Sequence, residues 1–226
     1  MLAAILFDLD GTIANTDPIH YQAWREMLLG YGMDIDEAFY KSRISGRTNP
    51  QIIEDLLPQL PLEEGVKFAD DKEALFRQKA REILKPMNGF SELIAWTDSH
   101  KLKRALVTNA PKLNVKFMFE VLDIEKIFDV VVIGEDCIAG KPDPAPYQVS
   151  LDKLGITAEQ AIALEDSPSG IRSAVGAGIR TIGVTSTHDP AVLKAIGAFM
   201  TIADFTDLHL WTLLNSQFTE DLATLG

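Results

Sequence analysis

The sequence predicts an α/β protein in which a doubly wound parallel sheet is interrupted by an inserted all-helical segment. Five short apolar runs are continuous rather than alternating, which is typical of parallel strands buried on both faces. From about residue 90 onward, helical patterns separate these runs, as in doubly wound proteins. Between residues 17 and 85 the patterns are helical, and no strand pattern is convincing.

The elements follow one another in an order that places a helical domain inside the sheet domain. The predicted strands are AAILFDLD, KRALVTNA, DVVVIGED, AIALED and RTIGVTS, with a weaker sixth, AFMTIADF. The helical insertion comes after the first strand, and Pro18, Pro86 and Gly89 punctuate its two connections. We therefore predict a sheet domain from residues 1–15 and 87–226, and a helical domain from residues 16–86.

Composition narrows the classes of partner. The net charge of -12, from 21 basic and 33 acidic residues, argues against nucleic acid or an anionic membrane as the main partner. It leaves an anionic small substrate open, because the local field of a site can oppose the net charge. A single cysteine, Cys137, excludes an internal disulfide and fits a reduced, cytoplasmic setting. No apolar stretch reaches the ~18 residues needed to span a bilayer.

Two carboxylates stand at the end of the first predicted strand, where the apolar run Ile5-Leu6-Phe7 is followed by Asp8 and Asp10. Side chains two residues apart in an extended chain face the same way, and open parallel sheets bind ligands at the carboxyl ends of their strands. Such a pair repels unless a cation relieves the repulsion, and oxygen ligands favour Mg²⁺. Taken alone, the stretch also fits a surface turn.

Three more polar groups follow later strands. The second strand ends in Thr108 and Asn109, which offer a hydroxyl and an amide to an anion. The fourth strand ends in Glu165 and Asp166. In the sequence between these two groups, the loop GKPDP carries Lys141. Each group alone fits a turn or a solvated surface residue. Together with Asp8 and Asp10, these groups make four polar clusters beside strands that are otherwise apolar. The four clusters together predict a functional site.

In order and spacing these clusters resemble the four signatures of the haloacid dehalogenase superfamily of phosphotransferases. The matching residues are Asp8-Leu9-Asp10-Gly11-Thr12, Thr108, Lys141 and Glu165-Asp166. The stretches GKPDPAPY and EDSPSGIRSAVGAG are similar to the β-phosphoglucomutase-like and phosphoglycolate-phosphatase-like branch, which carries a small helical cap. The resemblance covers essentially the whole chain and implies a Rossmann-like core with an inserted cap.

The resemblance implies a role for each carboxylate. Asp8 would be the nucleophile that forms an aspartyl-phosphate, and Asp10 would be the general acid and base. Asp8, the backbone carbonyl of Asp10 and Asp166 would hold Mg²⁺, with Glu165 as a ligand or a neighbour of one. Dehalogenases of this fold lack an acid at the position of Asp10, so its presence favours a phosphate ester as substrate.

The same resemblance assigns phosphate contacts and a cap surface. Charge on the phosphoryl oxygens would be neutralised by Thr108, the Asn109 amide and Lys141. Thr16 and His20 resemble a hinge threonine and a histidine of sugar-phosphate enzymes. The segment ISGRTNPQI, which contains Gly46 and Arg47, resembles the substrate-facing cap loop. For His20 and Arg47, packing and a solvated loop position are the alternative interpretations.

One difference in that cap loop separates two possible activities. β-Phosphoglucomutase carries a lysine and an arginine where this chain has Ser45 and Asn49. A mutase must hold a second phosphate on its intermediate, so the loss of both cations weakens the mutase interpretation. Arg47 would be a partial substitute.

The sequence thus predicts a Mg²⁺-dependent phosphomonoester hydrolase acting on a small phosphorylated metabolite, such as a sugar phosphate or phosphoglycolate. A hexose-phosphate mutase is the alternative within the enzymes, and a catalytically idle binding protein is the alternative outside them. Such an idle descendant should have lost at least one of Asp8, Asp10, Lys141 and Asp166, and all four are present. The resemblance further favours a monomer or a weak dimer.

Overall fold

The computed structural model describes residues 1–219, which fall into two compact units. One unit contains Met1–Asn15 and the chain from Lys85 onward, and the other is Thr16–Leu84. Among the described helices, none is both long and apolar enough to cross a membrane.

The first unit is built on a six-stranded parallel sheet in the order β3-β2-β1-β4-β5-β6. The predicted α/β fold class is confirmed, and the weak sixth run does form a strand. The strands are β1 (Ala4–Phe7), β2 (Lys103–Thr108), β3 (Val130–Ile133), β4 (Ala161–Glu165), β5 (Arg180–Val184) and β6 (Met200–Ile202).

The second unit is all-helical and has its own apolar core. Its helices are α1 (Asp17–Leu29), α2 (Glu37–Arg43), α3 (Asn49–Leu56) and α4 (Leu62–Ala80). Local capping sets two of the starts: Asp36 accepts a hydrogen bond from the Phe39 amide, and Thr48 begins α3 with a capping box. The core packs nine buried side chains, namely Trp24, Leu28, Ile35, Tyr40, Ile44, Ile52, Ile53, Leu57 and Phe68.

Six further helices belong to the sheet unit. They are α5 (Phe90–Ser99), α6 (Lys112–Leu122), α7 (Ala145–Leu154), α8 (Pro168–Gly176), α9 (Pro190–Ala195) and α10 (Leu208–Thr219). Two of them, α5 and α9, were not predicted from the sequence. Both are short, at 10 and 6 residues, so each shows less than three turns of apolar periodicity.

Packing on both faces fixes the end of β1. Successive side chains of a strand point to opposite faces of the sheet. On one face Leu6 belongs to an apolar cluster with Val107 and Tyr147. On the other, the Phe7 ring lies 6.0 Å from the rings of Phe90 and Phe128. The strand that leads to Asp8 is therefore packed in the core on both of its faces.

Candidate active site

The site lies where the strand order changes direction. β2 and β4 flank β1, so the crevice between β1 and β4 is the topological switch point, where open α/β sheets bind ligands. Phe7 is in register with Leu164, and the Asp8 amide donates to the Leu164 carbonyl at 3.0 Å. This register brings Asp8 next to Glu165, although the two residues are far apart in the sequence.

Three buried carboxylates meet at this point. Asp8, Glu165 and Asp166 each offer a ligand oxygen, and these oxygens lie within 4.8 Å of one another. Glu165 is fully buried, and Asp8 and Asp166 are nearly so. Asp10 is half-buried in the turn after Asp8 and pairs with Ala14 in an isolated bridge. Its carboxylate is not one of the three converging groups.

Lys141 joins this cluster as its counter-charge. Its Nζ donates to Asp8 Oδ1 at 2.7 Å, to Glu165 Oε1 at 2.5 Å and to the Val107 carbonyl at 2.6 Å. The Lys141 side chain is only 3% exposed, so little solvent screens these contacts. The solvated lysine that the sequence left open as an alternative is not what the structure shows.

Burial and mutual repulsion perturb the ionisable groups of the cluster. Burial raises the pKa of Asp8, Lys141 partly opposes that shift, and the Glu165 charge adds to it. Burial also raises the pKa of Asp166 well above its usual range, and the charges of Asp8 and Glu165 reinforce the effect. For Lys141, burial lowers the pKa, but the two carboxylates outweigh it and the net shift is upward.

Two supporting hydroxyls were missed by the sequence analysis. The buried Tyr147 hydroxyl donates to Glu165 Oε1 at 2.6 Å, and Thr187 Oγ1 donates to Asp166 Oδ2 at 2.5 Å. Burial and the neighbouring Glu165 charge raise the pKa of Tyr147, so it stays a donor. Thr187 follows the carboxyl end of β5, and its place at the same sheet edge was a signal that could have found it.

Glycines make room for two of the acids. A Cβ on Gly170 would lie 1.8 Å from Glu165 Oε2, so α8 makes room for Glu165. A Cβ on Gly11 would lie 2.1 Å from Asp166 Oδ2, and Gly11 also has a φ of +78° that favours glycine.

The residues at the end of β2 divide into two roles. Thr108 is buried, and its hydroxyl accepts a hydrogen bond from the Ala110 amide at 2.9 Å. Asn109, whose amide was predicted to contact phosphoryl oxygens, uses its side-chain carboxamide to bond both backbone groups of Lys141. It is therefore engaged within the protein.

The donor set fits a hard divalent cation. Burial and the neighbouring carboxylates raise the pKa values of Asp8 and Asp166, so the three groups bind such a cation more readily than they hold three charges alone. Glu165 Oε2 is buried and has no hydrogen-bond partner among the described residues, which is costly unless a ligand uses it. Asp8, Glu165 and Asp166 are thus the residues that could hold the metal.

The sequence pattern of the haloacid dehalogenase-like hydrolase family matches residues 5–184 of the chain. The chain belongs to this family. The predicted family resemblance is confirmed, and the matched range contains all four signature clusters together with the inserted helical unit.

Known relatives of this haloacid dehalogenase-like hydrolase include a phosphatase. A phosphorylated carbohydrates phosphatase from Thermotoga maritima is 33% identical over 202 residues, which cover 87% of this chain and 92% of that protein. A haloacid dehalogenase hydrolase of family IA, variant 3, from Entamoeba histolytica superposes with a TM-score of 0.84 at 29% identity, covering 92% and 97% of the two chains. A β-phosphoglucomutase from Clostridium difficile superposes with a TM-score of 0.81 at 25% identity, covering 99% and 100%.

In the helical unit of the hydrolase, the half-buried His20 contacts a buried lysine–glutamate pair. Thr16 is buried immediately before α1, and His20 lies in the first turn of that helix. The His20 ring stacks on Phe76 with 4.0 Å between centroids, and its Nδ1 lies 3.1 Å from Lys72 Nζ. Lys72 also donates to Glu73 Oε1 at 2.7 Å. His20 was predicted from the sequence as a candidate residue, whereas this lysine–glutamate pair was not.

The predicted substrate-facing cation of the cap loop, Arg47, is bound within the helical unit. Gly46 has a φ of +76°, which glycine adopts without strain. The guanidinium of Arg47 donates to Asp55 Oδ2 at 2.8 Å and to the carbonyls of Arg43 and Gln51 at 2.7 and 2.9 Å. Arg47 is exposed, as expected for a solvated loop residue, and these bonds engage its guanidinium inside the helical unit.

Replacing Glu73 by Gln is expected to reduce the free energy of unfolding by about 3 kcal/mol, because the buried Lys72 ammonium loses the carboxylate that neutralises it. Burial opposes ionisation of Glu73, but Lys72, His20 and an Asn49 hydrogen bond hold its pKa at about 2. This stabilisation is complete above the unfolded pKa of about 4.5 and is lost toward pH 2.

Thermal unfolding between about pH 7 and pH 3 measures this effect. The difference between the wild type and Glu73→Gln should be largest at pH 7 and should shrink as the pH falls. Glu54→Gln on the exposed side of α3 is the matched control and should unfold like the wild type. A pH-independent difference would contradict the charge pairing.

Magnesium is expected to stabilise the metal-free hydrolase more at pH 8 than at pH 5. Because burial raises the folded-state pKa of Asp8 and Asp166, their contribution to stability is present at low pH and is lost as the pH rises through those values. A cation offsets that loss. At a hundredfold excess over its dissociation constant it adds about 2.7 kcal/mol. Melting temperatures in chelator, in MgCl₂ and in NaCl of equal ionic strength test this; equal shifts at both pH values would count against it.

Proposed function

We propose that this hydrolase is a Mg²⁺-dependent phosphatase that releases inorganic phosphate from a small phosphorylated metabolite, such as a sugar phosphate or phosphoglycolate. The observation that carries the proposal is the buried cluster in which Lys141 bridges Asp8 and Glu165 beside Asp166. A buried lysine among converging carboxylates, at the switch point of the sheet, suits a phosphoryl group better than a neutral substrate. The phosphatase from Thermotoga maritima supports the same assignment.

The proposed reaction has two steps that use one nucleophile. An Asp8 carboxylate oxygen attacks phosphorus, the ester bond breaks, and the leaving oxygen takes a proton from Asp10. A water molecule then gives its proton to Asp10 and attacks the phosphorus of the aspartyl-phosphate, which releases phosphate and restores Asp8. The Lys141 ammonium neutralises charge at the reacting oxygens, and the buried Thr108 hydroxyl lies at the neighbouring strand end.

Mg²⁺ would be held by Asp8, Asp166 and the backbone carbonyl of Asp10, with Glu165 beside them. When bound, it supplies positive charge that polarises a phosphoryl oxygen. Tyr147 and Thr187 keep Glu165 and Asp166 oriented, as hydrogen bonds around metal ligands commonly do.

The helical unit favours a phosphatase over a mutase. At the two positions where the mutase carries cations, Ser45 Oγ bonds Asp17 Oδ1 at 3.2 Å and Asn49 Nδ2 bonds Glu73 Oε1 at 2.7 Å. A carboxylate beside each position disfavours a second phosphate there. The mutase remains a second candidate because a β-phosphoglucomutase superposes over nearly the whole chain.

A panel of phosphorylated metabolites, assayed for phosphate release with Mg²⁺ and with chelator, tests the proposal. The panel should contain hexose and pentose phosphates, phosphoglycolate and a sugar bisphosphate. Mg²⁺-dependent release from at least one monophosphate is expected. A parallel assay follows isomerisation of a sugar 1-phosphate in the presence of catalytic bisphosphate. Isomerisation without net phosphate release would assign the mutase function instead.

A further inference from the structure

Asn109, directly after β2, holds the main chain of Lys141 at two points. Its Nδ2 donates to the Lys141 carbonyl at 2.9 Å, and its Oδ1 accepts from the Lys141 amide at 3.0 Å. A carboxamide carries a donor and an acceptor on one planar group, so it can bind both polar groups of one residue's backbone at once. The two bonds therefore fix where the Lys141 side chain starts.

Two glycines provide the space for this carboxamide. A Cβ on Gly134 would lie 2.4 Å from Asn109 Oδ1, and a Cβ on Gly140 would lie 2.8 Å from the same atom. Neither glycine has a positive φ, so each is needed for space and not for its backbone conformation. Gly134 follows β3 and Gly140 precedes Lys141, so the loops themselves form a slot that fits the Asn109 side chain.

The other end of Lys141 has little tolerance for displacement. Its ammonium must reach Asp8, Glu165 and the Val107 carbonyl together, at distances of 2.5–2.7 Å. A shift of about 1 Å in the starting point of the side chain would break at least one of these contacts, and misplacements of that size cost about 100-fold in rate. The position of the Lys141 backbone therefore determines where its ammonium lies at the centre of the site.

We infer that Asn109 is a positioning residue, which acts on the reaction by fixing Lys141 rather than by touching the phosphoryl group with its carboxamide. The inference rests on the proposed function, because that is where Lys141 receives its part in phosphoryl transfer. The inference also explains why Asn109, although exposed, has both the nitrogen and the oxygen of its carboxamide in hydrogen bonds.

Four variants test the inference. Asn109→Ala removes both bonds, and Asn109→Asp keeps the acceptor but sets a carboxylate against the Lys141 carbonyl. Gly134→Ala leaves Asn109 in place but occupies its slot, and Asn109→Ala/Gly134→Ala combines the two. Gly176→Ala, where a Cβ would meet its nearest atom at an ordinary 3.5 Å, is the matched control. For each variant kcat, KM, inhibition by inorganic phosphate and the melting temperature are measured with Mg²⁺ and a substrate of the wild type.

Asn109→Ala and Gly134→Ala are each expected to lower kcat by about 10- to 100-fold with a smaller change in KM, and to weaken inhibition by phosphate. Asn109→Asp should lose activity in the same way. Melting temperatures should stay close to that of the wild type. The double variant should be no slower than Asn109→Ala alone, since the added methyl then has no carboxamide to displace. Gly176→Ala should retain wild-type kinetics.

Failure of this inference is distinguishable from failure of the proposed function. If the wild type hydrolyses phosphate esters and Asn109→Ala keeps its kcat, the positioning role is wrong and the phosphatase stands. A lowered melting temperature with unchanged kcat would assign Asn109 a structural role only, and additive losses in the double variant would also overturn the inference. If the wild type hydrolyses no ester, the proposed function fails before any variant is compared.

Discussion

Replacing Asp8 by Asn is expected to reduce kcat by at least about 10⁴-fold, because an amide cannot act as the nucleophile that takes the phosphoryl group. No acid-stable phosphoryl-enzyme should form in a rapid-quench experiment, whereas the wild type should show one. Among single substitutions at the site, this one should have the largest effect on turnover. Phosphate release at saturating substrate and Mg²⁺ measures it.

The same substitution should leave the fold intact. The new carboxamide would keep an oxygen that accepts from Lys141. It would also remove one buried charge from a carboxylate whose pKa is raised first by burial and then by the Glu165 charge. We therefore expect a change of less than about 1 kcal/mol, or about 2–4 °C in melting temperature. Asp152→Asn on the exposed side of α7 is the control and should behave like the wild type in both assays. Retained Mg²⁺-dependent turnover in Asp8→Asn would exclude the covalent mechanism.

The sheet was predictable from sequence because its strands are buried on both faces. A run such as Ile5-Leu6-Phe7 has no polar position. This pattern is typical of a strand that is covered by helices on both faces of the sheet, because neither of its faces meets water. The core site was predictable for a related reason. Asp8, Thr108 and Glu165 each interrupt such a run at its carboxyl end, and parallel strands bring those ends to one edge.

Contacts that depend on side-chain direction were not predictable in this way. Nothing in the local sequence distinguishes Tyr147, six residues after Lys141, from an ordinary helix residue, yet its hydroxyl reaches Glu165 because α7 packs on β2 and β3. The Asn109 carboxamide was assigned to an anion because it is polar and lies at a strand end. In the structure this carboxamide bonds the backbone of Lys141, which lies 32 residues farther along in a loop whose path no sequence pattern reports.

Lys72 and Glu73 were missed for a different reason. They lie in the charged stretch ADDKEA of α4, which has the composition of a solvated helix face. Only the three-dimensional packing against His20 shows that this pair is buried while the neighbouring Asp71 is exposed. Burying such a pair costs desolvation energy, which is offset only when the two charges are in close contact. The periodicity of the sequence gives no sign that the pair is buried.

Replacing Lys141 by Met should be the most destabilising substitution at the site as well as a nearly inactivating one. Met fills a similar volume but removes the ammonium, which leaves Asp8 and Glu165 buried without their counter-charge. The free energy of unfolding should fall by about 3 kcal/mol or more, since breaking a buried pair leaves an uncompensated charge. kcat should fall by about 10³-fold, the cost of losing a strong electrostatic contact to the transition state.

The pH dependence of this loss identifies its cause. Without Lys141, the raised folded-state pKa values of Asp8 and Asp166 should rise further. A raised folded-state pKa gives stability that is present at low pH and is lost as the pH rises, so Lys141→Met should differ from the wild type more at about pH 8 than at about pH 5. Denaturant unfolding in chelator measures this directly.

A second substitution separates charge balance from catalysis. In Lys141→Met/Glu165→Gln one buried negative charge is removed together with the positive one, so part of the lost stability should return while kcat stays as low as in Lys141→Met. If the charges at this site are coupled as the 2.5–2.7 Å contacts indicate, the double variant will be more stable than Lys141→Met at pH 8. Equal stability of the two variants would mean that Lys141 stabilises the fold by packing and not by its charge. That result would contradict the electrostatic explanation of the site, including the explanation of why it prefers a phosphorylated substrate.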